Sequence, residues 1–308
     1  MHYDIVVAFS TFRETYFEWV IELLEALEKQ TIEDFKTIIV VNGNMRYFKR
    51  LSDAVKYETE TSYEIQLLFN PTDKGIAHSR NIALEYAKSP YIAYTDDDAV
   101  PHPHWLEELL YALELDEKVG AVTGPVLCRW QHDTEDYASW FPKELYWIIG
   151  CTSMNTKGVT IVRNGFASNL AVKREILLKH GGFGEYLGYG LSTSITGEDT
   201  ELGIKLVRLG YVTLWNPNAV VYHRIFRERV KMRNILTRSF IEGKTKAYLS
   251  EVYGSNVIKP EANHLQSVVK RFIKTRSFKS KALLLHSTIA VLSGYFAYRT
   301  LRFQSKTK

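Results

Sequence analysis

Three consecutive carboxylates, Asp96-Asp97-Asp98, follow directly on the apolar stretch Tyr91-Ile-Ala-Tyr-Thr95. If that stretch is a strand, Asp96 and Asp98 project to one side of it and Asp97 to the other. Like charges this close repel, and a divalent cation relieves the repulsion. All-oxygen ligation suits Mg2+ or Mn2+, held by one or two carboxylates together with the phosphate oxygens of a substrate. The same residues could instead make a turn and cap the helix that follows Pro101, because Asp serves well in both places. Their position at a strand's carboxyl end favours the chemical reading.

A second acidic pair, Glu198-Asp199, stands after a glycine-rich loop, Gly181 to Gly197, and before the helical spacing of Leu202, Leu206 and Leu209. A carboxylate delivered by such a loop can act as a general base if it comes within about 2.6–3.2 Å of an acceptor hydroxyl. Thr196 to Asp199 also has the spacing of a capping box, so helix capping is the competing explanation. His223 closes the stretch Ala219-Val-Val-Tyr222 and could ligate a metal or a phosphate, although a lone histidine is more often structural. Gly75-Ile-Ala-His-Ser-Arg-Asn81 opens a helix, where backbone amides and Arg80 could meet phosphate or base. No Gly-x-x-x-x-Gly-Lys loop occurs, and no Gly-x-Gly-x-x-Gly follows the first strand, which argues against a dinucleotide enzyme.

These residues need a frame. Short apolar runs over Asp4 to Ser10, Lys36 to Val41, Glu64 to Phe69, Tyr91 to Thr95 and Val119 to Val126 read as strands. Helical spacing separates them: Phe17, Val20, Ile21, Leu24 and Leu27, then Ile76 to Ala87, then Trp105 to Leu115. Strand and helix in alternation predict a mainly parallel sheet covered on both faces. Ligands of such sheets sit beyond the carboxyl ends of the strands, here Ser10 to Arg13, Asn42 to Asn44 and Asp96 to Asp98. From Leu127 to Val159 the period blurs among many aromatics, which predicts a loop-rich insertion. Regular signals return at Phe166 to Val172, Lys173 to His180, Glu198 to Leu209, Val212 to Trp215 and Ala219 to Tyr222.

With 308 residues, 45% hydrophobic and 24% charged, the chain can bury a sizeable core. Cys128 and Cys151 are too few for a disulfide scaffold and too far apart for a zinc ribbon or a redox pair, and they fit a reducing compartment. Met1 leads into a strand without a signal-peptide pattern, so the chain is expected in the cytoplasm. Net charge is only +4, but from Arg224 to Lys308 there are 19 Lys/Arg against 4 Asp/Glu, out of 39 and 35 in the whole chain. A basic tail points to an anionic partner, and the apolar residues within it favour lipid headgroups over nucleic acid. His264 to Phe278 has Leu265, Val268, Val269, Phe272 and Ile273 on one helical face among basic residues, the pattern of an in-plane membrane helix. Ala282 to Tyr298 is 17 mostly apolar residues, at the lower limit for a spanning helix. A full span, a dip into one leaflet, and a helix packed on the catalytic domain or on a dimer partner all remain open.

In combination these stretches resemble family 2 glycosyltransferases, from about Asp4 to about Lys246. The likeness is carried by Ile-Val-Val-Ala-Phe-Ser-Thr-Phe, Leu-Glu-Lys-Gln-Thr, Ile-Val-Val-Asn-Gly-Asn, Gly-Ile-Ala-His-Ser-Arg-Asn-Ile-Ala, Tyr-Ile-Ala-Tyr-Thr-Asp-Asp-Asp, Gly-Gly-Phe-Gly-Glu and Gly-Glu-Asp-Thr-Glu-Leu. It implies an α/β fold of the GT-A type, a Rossmann-like nucleotide-sugar-binding domain over residues 1–225. A basic helical region over 226–308 would follow it, with an amphipathic helix at about 264–278 and an apolar one at about 282–298. It also implies transfer of a sugar from a nucleoside-diphosphate donor with inversion, helped by Mn2+ or Mg2+. By the family's motifs Asp96 lies near the ribose, Asp98 with Asp96 and His223 at the metal, and Asp199 beside Glu198 is the base. Ala8, Ser10, Arg13, Asn42, Arg80 and Asp97 would line the nucleotide site. Many relatives act on polyprenyl- or dolichyl-linked acceptors, so a glycan or polyprenyl-linked acceptor at the cytoplasmic face of a membrane is expected. Two positions depart from the pattern: Val41 stands where an acid often reads the base, and Gly184 where Asp is common before Glu185. A sugar nucleotidyltransferase, which lacks its glycine-rich basic signature here, and a nucleotide-sugar-binding protein without transferase activity are the alternatives.

Overall fold

The computed structural model describes residues 4–72, 74–188 and 195–306. In chain order its strands are β1 (Ile5–Thr11), β2 (Phe35–Asn42), β3 (Glu64–Asn70), β4 (Tyr91–Thr95), β5 (Ala99–Pro101), β6 (Val119–Thr123), β7 (Val126–Trp130), β8 (Thr160–Val162), β9 (Asn169–Lys173), β10 (Val212–Trp215) and β11 (Val221–Ile225). Its helices are α1 (Phe17–Glu28), α2 (Met45–Tyr57), α3 (Ile76–Tyr86), α4 (Trp105–Leu113), α5 (Glu135–Ala138), α6 (Arg174–Lys179), α7 (Glu198–Arg208), α8 (Arg227–Val230), α9 (Met232–Tyr253), α10 (Lys259–Lys274) and α11 (Phe278–Lys306). Two compact units divide them: Met1–Leu127, Met154–Ser192 and Glu198–His223 form one, and Cys128–Ser153, Thr193–Gly197 and Arg224–Lys308 the other. Gly190, within the expected glycine-rich loop, lies outside the described residues.

In the first unit eight strands run in the order β3-β2-β1-β4-β9-β6-β10-β8. The pairs β1–β2, β2–β3, β1–β4 and β6–β10 are parallel, while β4–β9, β6–β9 and β8–β10 are antiparallel. The sheet is therefore mixed rather than mainly parallel. Parallel neighbours need a long crossover, usually a helix. β8 and β9 both run against the parallel set, β8 beside β10 and β9 between β4 and β6. Alternation splits the strand side chains between two cores. Ile5, Val7, Phe9, Ile39 and Val41 face α1, α2 and α4. Val6, Ala8, Ile38, Val40 and Tyr94 face α3, α6 and α7. The expected single strand from Val119 to Val126 is broken at Gly124, where a Cβ would fall 2.1 Å from the Ala219 carbonyl oxygen. Sequence periodicity also passed over α2, whose buried Tyr47, Leu51 and Ala54 are spaced four and three residues apart among basic ones.

The second unit has its own core of Phe141, Leu145, Ile148, Ile149, Ile225, Ile235, Val268, Leu283 and Leu284. The aromatic insertion thus joins the C-terminal helices instead of decorating the first domain. Cys128 and Cys151 form a disulfide within this unit, their Cα atoms 5.7 Å apart. That corrects the expectation of unpaired cysteines: a 3-10 turn over Lys143–Ile149 returns the chain to the end of β7. α9 packs along α11 so closely that a Cβ on Gly243 would lie 1.9 Å from the Val291 carbonyl oxygen, and one on Gly294 equally near that of Phe240. No helix among the described residues is long and apolar enough to cross a membrane.

Asn169 holds the centre of the sheet. Its side chain is fully buried, donates to the carbonyls of Pro125 at 3.0 Å and Ala219 at 2.7 Å, and accepts from Trp105 Nε1 at 2.8 Å. Asn169→Ala strands one buried donor and two carbonyls, so it should destabilise the protein by about 3 kcal/mol or more in denaturant unfolding. A loss below about 1 kcal/mol would show that water replaces the amide.

Candidate active site

β4 ends in the buried Thr95, and Asp96 begins a turn closed by the Ala99 amide on the Asp96 carbonyl at 3.1 Å. β5 then pairs antiparallel with β11, which sets His223 opposite Ala99. This pairing, and not sequence spacing, brings the histidine to the aspartates. His223 Nε2 lies 3.1 Å from Asp98 Oδ1, and both side chains are nearly inaccessible. Ligand atoms of Asp96, Asp98 and His223 all fall within 4.8 Å of one another. Asp97, inside the turn, is not part of this cluster: it is buried, and its charge acts on the Tyr47 hydroxyl.

Two carboxylates and an imidazole are a fitting donor set for Mn2+, and the carboxylates for Mg2+. His223 Nε2 faces Asp98 and is the ring atom available to a cation, while Nδ1 is buried without a hydrogen-bond partner among the described residues. Asp98 and His223 would be first-choice ligands, with Asp96 on the more open side.

Arg80, from the first turns of α3, connects this cluster to the second acidic pair. Its side chain is 5% exposed; Nη1 donates to Glu198 Oε1 at 2.8 Å and Nη2 to Asp96 Oδ1 at 3.2 Å. Burial alone would lower the guanidinium pKa, but the charges of Glu198, Asp96 and Asp199 outweigh it and hold it above its ordinary value. Asp199 is thus near the same cation, and its Oδ1 accepts from the Thr200 amide at 2.6 Å. In the competing capping explanation Thr196 would pair with Asp199, whereas its amide donates to Thr245 Oγ1 at 3.0 Å.

Arg80 is itself held from below. Its guanidinium lies 5.6 Å from the centre of the Phe183 ring, and Phe183 meets Tyr94 edge to face. The next residue of α3, Asn81, accepts from the Phe183 amide at 2.8 Å and donates to the Phe183 carbonyl at 2.9 Å. A Cβ on Gly182, which has φ +69°, would meet Asn81 Oδ1 at 2.3 Å, so the tight turn needs glycine. Gly184 is explained in the same way: a Cβ there would lie 2.3 Å from Glu201 Oε2. Glu201 is fully buried, accepts from the Tyr186 hydroxyl, and pairs with Lys205. Asn81, Phe183 and Glu201 are supporting residues that sequence reasoning did not single out.

The remaining expected nucleotide-site residues are more dispersed. Asn42, buried at the end of β2, accepts from Asn70 Nδ2 at 2.8 Å and Ser79 Oγ at 2.9 Å. Val41, where the resemblance leads one to expect an acid, is sealed in the first core. Ser10 is half-buried near the end of β1, and Ala8 lies inside the second core. Arg13 is exposed and donates to the Tyr16 hydroxyl at 2.9 Å.

With this geometry in hand, residues 6–181 match the model of the family described as glycosyl transferase family 2. The chain is 28% identical over 251 residues to the glucosyl-dolichyl phosphate glucuronosyltransferase of Haloferax volcanii, covering 81% of this chain and 78% of the relative. It is 25% identical over 239 residues to an uncharacterized glycosyltransferase of Haemophilus influenzae, covering 76% and 72%. Among solved structures, its fold resembles that of the mannosyltransferase PcManGT from Pyrobaculum calidifontis in complex with GDP-Man and Mn2+. There the TM-score is 0.55 at 19% identity, over 98% of this chain and 83% of the other. It also resembles GalNAc-T7 with UDP, GalNAc and Mn2+, with a TM-score of 0.58 at 14% identity, over 85% and 54%. At these identities the likeness is one of fold, a mixed α/β architecture of the GT-A kind.

Removing the cation between the acids has a measurable cost. Arg80→Gln leaves Glu198 and Asp96 without their buried partner and should destabilise the protein by roughly 3 kcal/mol in denaturant unfolding. Adding Glu198→Gln to that variant should restore part of the loss, because the carboxylate left alone becomes neutral. Strict additivity of the two changes would mean that the pair is not coupled.

Proposed function

The chain belongs to glycosyl transferase family 2, and on that premise we propose that it is an inverting, metal-dependent transferase using a nucleoside-diphosphate sugar. The observation that carries this reading is the convergence of Asp96, Asp98 and His223 within 4.8 Å, tied through Arg80 to the Glu198-Asp199 pair. A bound Mn2+ or Mg2+ supplies positive charge against the departing diphosphate. Asp96, Asp98 and His223 hold that cation. Ser10, Arg13, Asn42 and Arg80 serve the nucleotide side, with Asp96 toward the ribose. Asp199 takes the proton from the attacking acceptor hydroxyl as its oxygen bonds to the anomeric carbon. The glycosidic bond to the diphosphate breaks from the opposite face, so configuration inverts and no enzyme-bound sugar intermediate is required. Glu198 orients Asp199 through its bond to Arg80.

The acceptor is proposed to be a glycan or polyprenyl-type phosphate carried on lipid, at the cytoplasmic face of a membrane. Support comes from the Haloferax volcanii relative, which acts on a glucosyl-dolichyl phosphate, and from the basic residues after Arg224. The Cys128–Cys151 disulfide pulls the other way, since such bonds persist mainly in oxidising compartments.

Asp199→Asn tests the assignment of the base. Donor binding, followed by the thermal shift that a nucleoside diphosphate and Mn2+ produce together, should be unchanged. Transfer should fall by about 10²–10⁴-fold. A variant that transfers normally but melts earlier would make Asp199 a helix-start acid and nothing more.

A further inference from the structure

α11 has two faces of different character. Leu283, Leu284, Ser287, Gly294 and Tyr298 are buried, and this side carries the close approach to α9. On the other side Leu285, Ile289, Leu292 and Phe296 are between 44% and 64% exposed. Their spacing of four, three and four keeps them in one line. Phe278, 83% exposed, extends that line to about 27 Å at 1.5 Å per residue. α10 repeats the arrangement: Val268 is buried, while Leu265, Val269 and Ile273, spaced by four, are 39%, 50% and 72% exposed. Large apolar side chains aligned in this way on two successive helices are not the scattered exposure of an ordinary surface.

Charge selects what covers them. From Ala262 to Lys308 there are ten Lys/Arg and no Asp/Glu. A second copy seated on this face would bring two such basic surfaces together, and the one acid of α10, Glu261, is already paired with Lys246. A nucleic acid would answer the charge but leave the apolar line in water. A membrane-spanning α11 would have to give up its seam with α9. An anionic bilayer surface meets both demands, apolar chains for the line and headgroups for the bases.

We propose that α10 and α11 form a monotopic docking face that lies in the plane of an anionic bilayer. Leu285, Ile289, Leu292 and Phe296 enter the acyl boundary, and Lys270, Lys274 and Arg276 engage the headgroups. The inference deepens the proposed membrane association. It places the attachment on one face of folded helices and fixes its lipid preference.

Co-sedimentation of the full chain with vesicles of phosphatidylcholine, with and without phosphatidylglycerol, tests it. The protein should bind the anionic vesicles, and high salt should weaken binding without abolishing it. Replacing Leu285, Ile289, Leu292 and Phe296 together by Ser should lower the vesicle affinity by about 100-fold and leave a remainder that salt removes. Lys270→Gln with Lys274→Gln and Arg276→Gln should instead erase the preference for phosphatidylglycerol. These side chains are exposed, so the thermal midpoint should hold; Phe296→Ser alone provides the milder variant if the quadruple one unfolds. Undiminished binding by the apolar variants overturns the proposal, as does a wild-type protein that ignores both vesicles. A wild-type dimer that these substitutions split would assign the face to a second copy. Donor binding by the same variants, read as the Mn2+ and nucleoside-diphosphate thermal shift, keeps a failure here separate from failure of the transferase reading.

Discussion

Four carboxylates gather beyond the carboxyl end of β4, and their mutual repulsion is the constraint around which the site is organised. Asp96 and Asp98 approach His223, while Asp96, Glu198 and Asp199 all act on a single guanidinium. Inside a protein such charges are tolerated only when paired. Arg80 pairs Asp96 and Glu198, and a divalent cation would serve Asp98 together with Asp96. The acids have to be close for the proposed chemistry, and closeness is what makes a buried arginine necessary.

That requirement passes outward through the fold. Arg80 can sit between Asp96 and Glu198 because α3 starts at the turn after β3 and runs back under the sheet. Asn81, one residue on, clamps the Gly-Gly-Phe turn through both backbone groups of Phe183, and that ring lies beneath the guanidinium. Glycine at 182 and 184 follows from crowding, by Asn81 in one case and Glu201 in the other. Segments distant in sequence are thus parts of one electrostatic device.

Much of this was legible in the residues. The runs ending at Ser10, Asn42 and Thr95 are β-branched and bounded by turn formers, so β1, β2 and β4 and the acids beyond β4 could be placed from pattern alone. The partnership of His223 with Asp98 follows from the family resemblance and not from pattern, because it depends on β11 pairing with the three-residue β5, which has no periodic signal. Arg80 was expected to meet a nucleotide; its engagement with two carboxylates is visible only once α7 is positioned. α9 is not legible in the sequence because its buried side mixes Ser239, Gly243, Thr245 and Ser250 with few large apolar residues and so carries no hydrophobic period. The disulfide was missed because 23 residues separate its cysteines and nothing in the aromatic insertion announces the return of the chain.

The second unit builds its own core from aromatic and aliphatic side chains, and Lys270, Lys274 and Arg276, in and just after α10, are exposed. The central claim concerns the first unit: Asp96, Asp98 and His223 are a cation site completed by a nucleoside diphosphate. Titration of the full chain with Mn2+, followed by the loss of the free-ion electron paramagnetic resonance signal, tests that claim most directly. One Mn2+ should bind per chain, and a nucleoside diphosphate should tighten it. An undiminished free-ion signal with the diphosphate present, after subtraction of the metal the diphosphate binds by itself, would contradict the account.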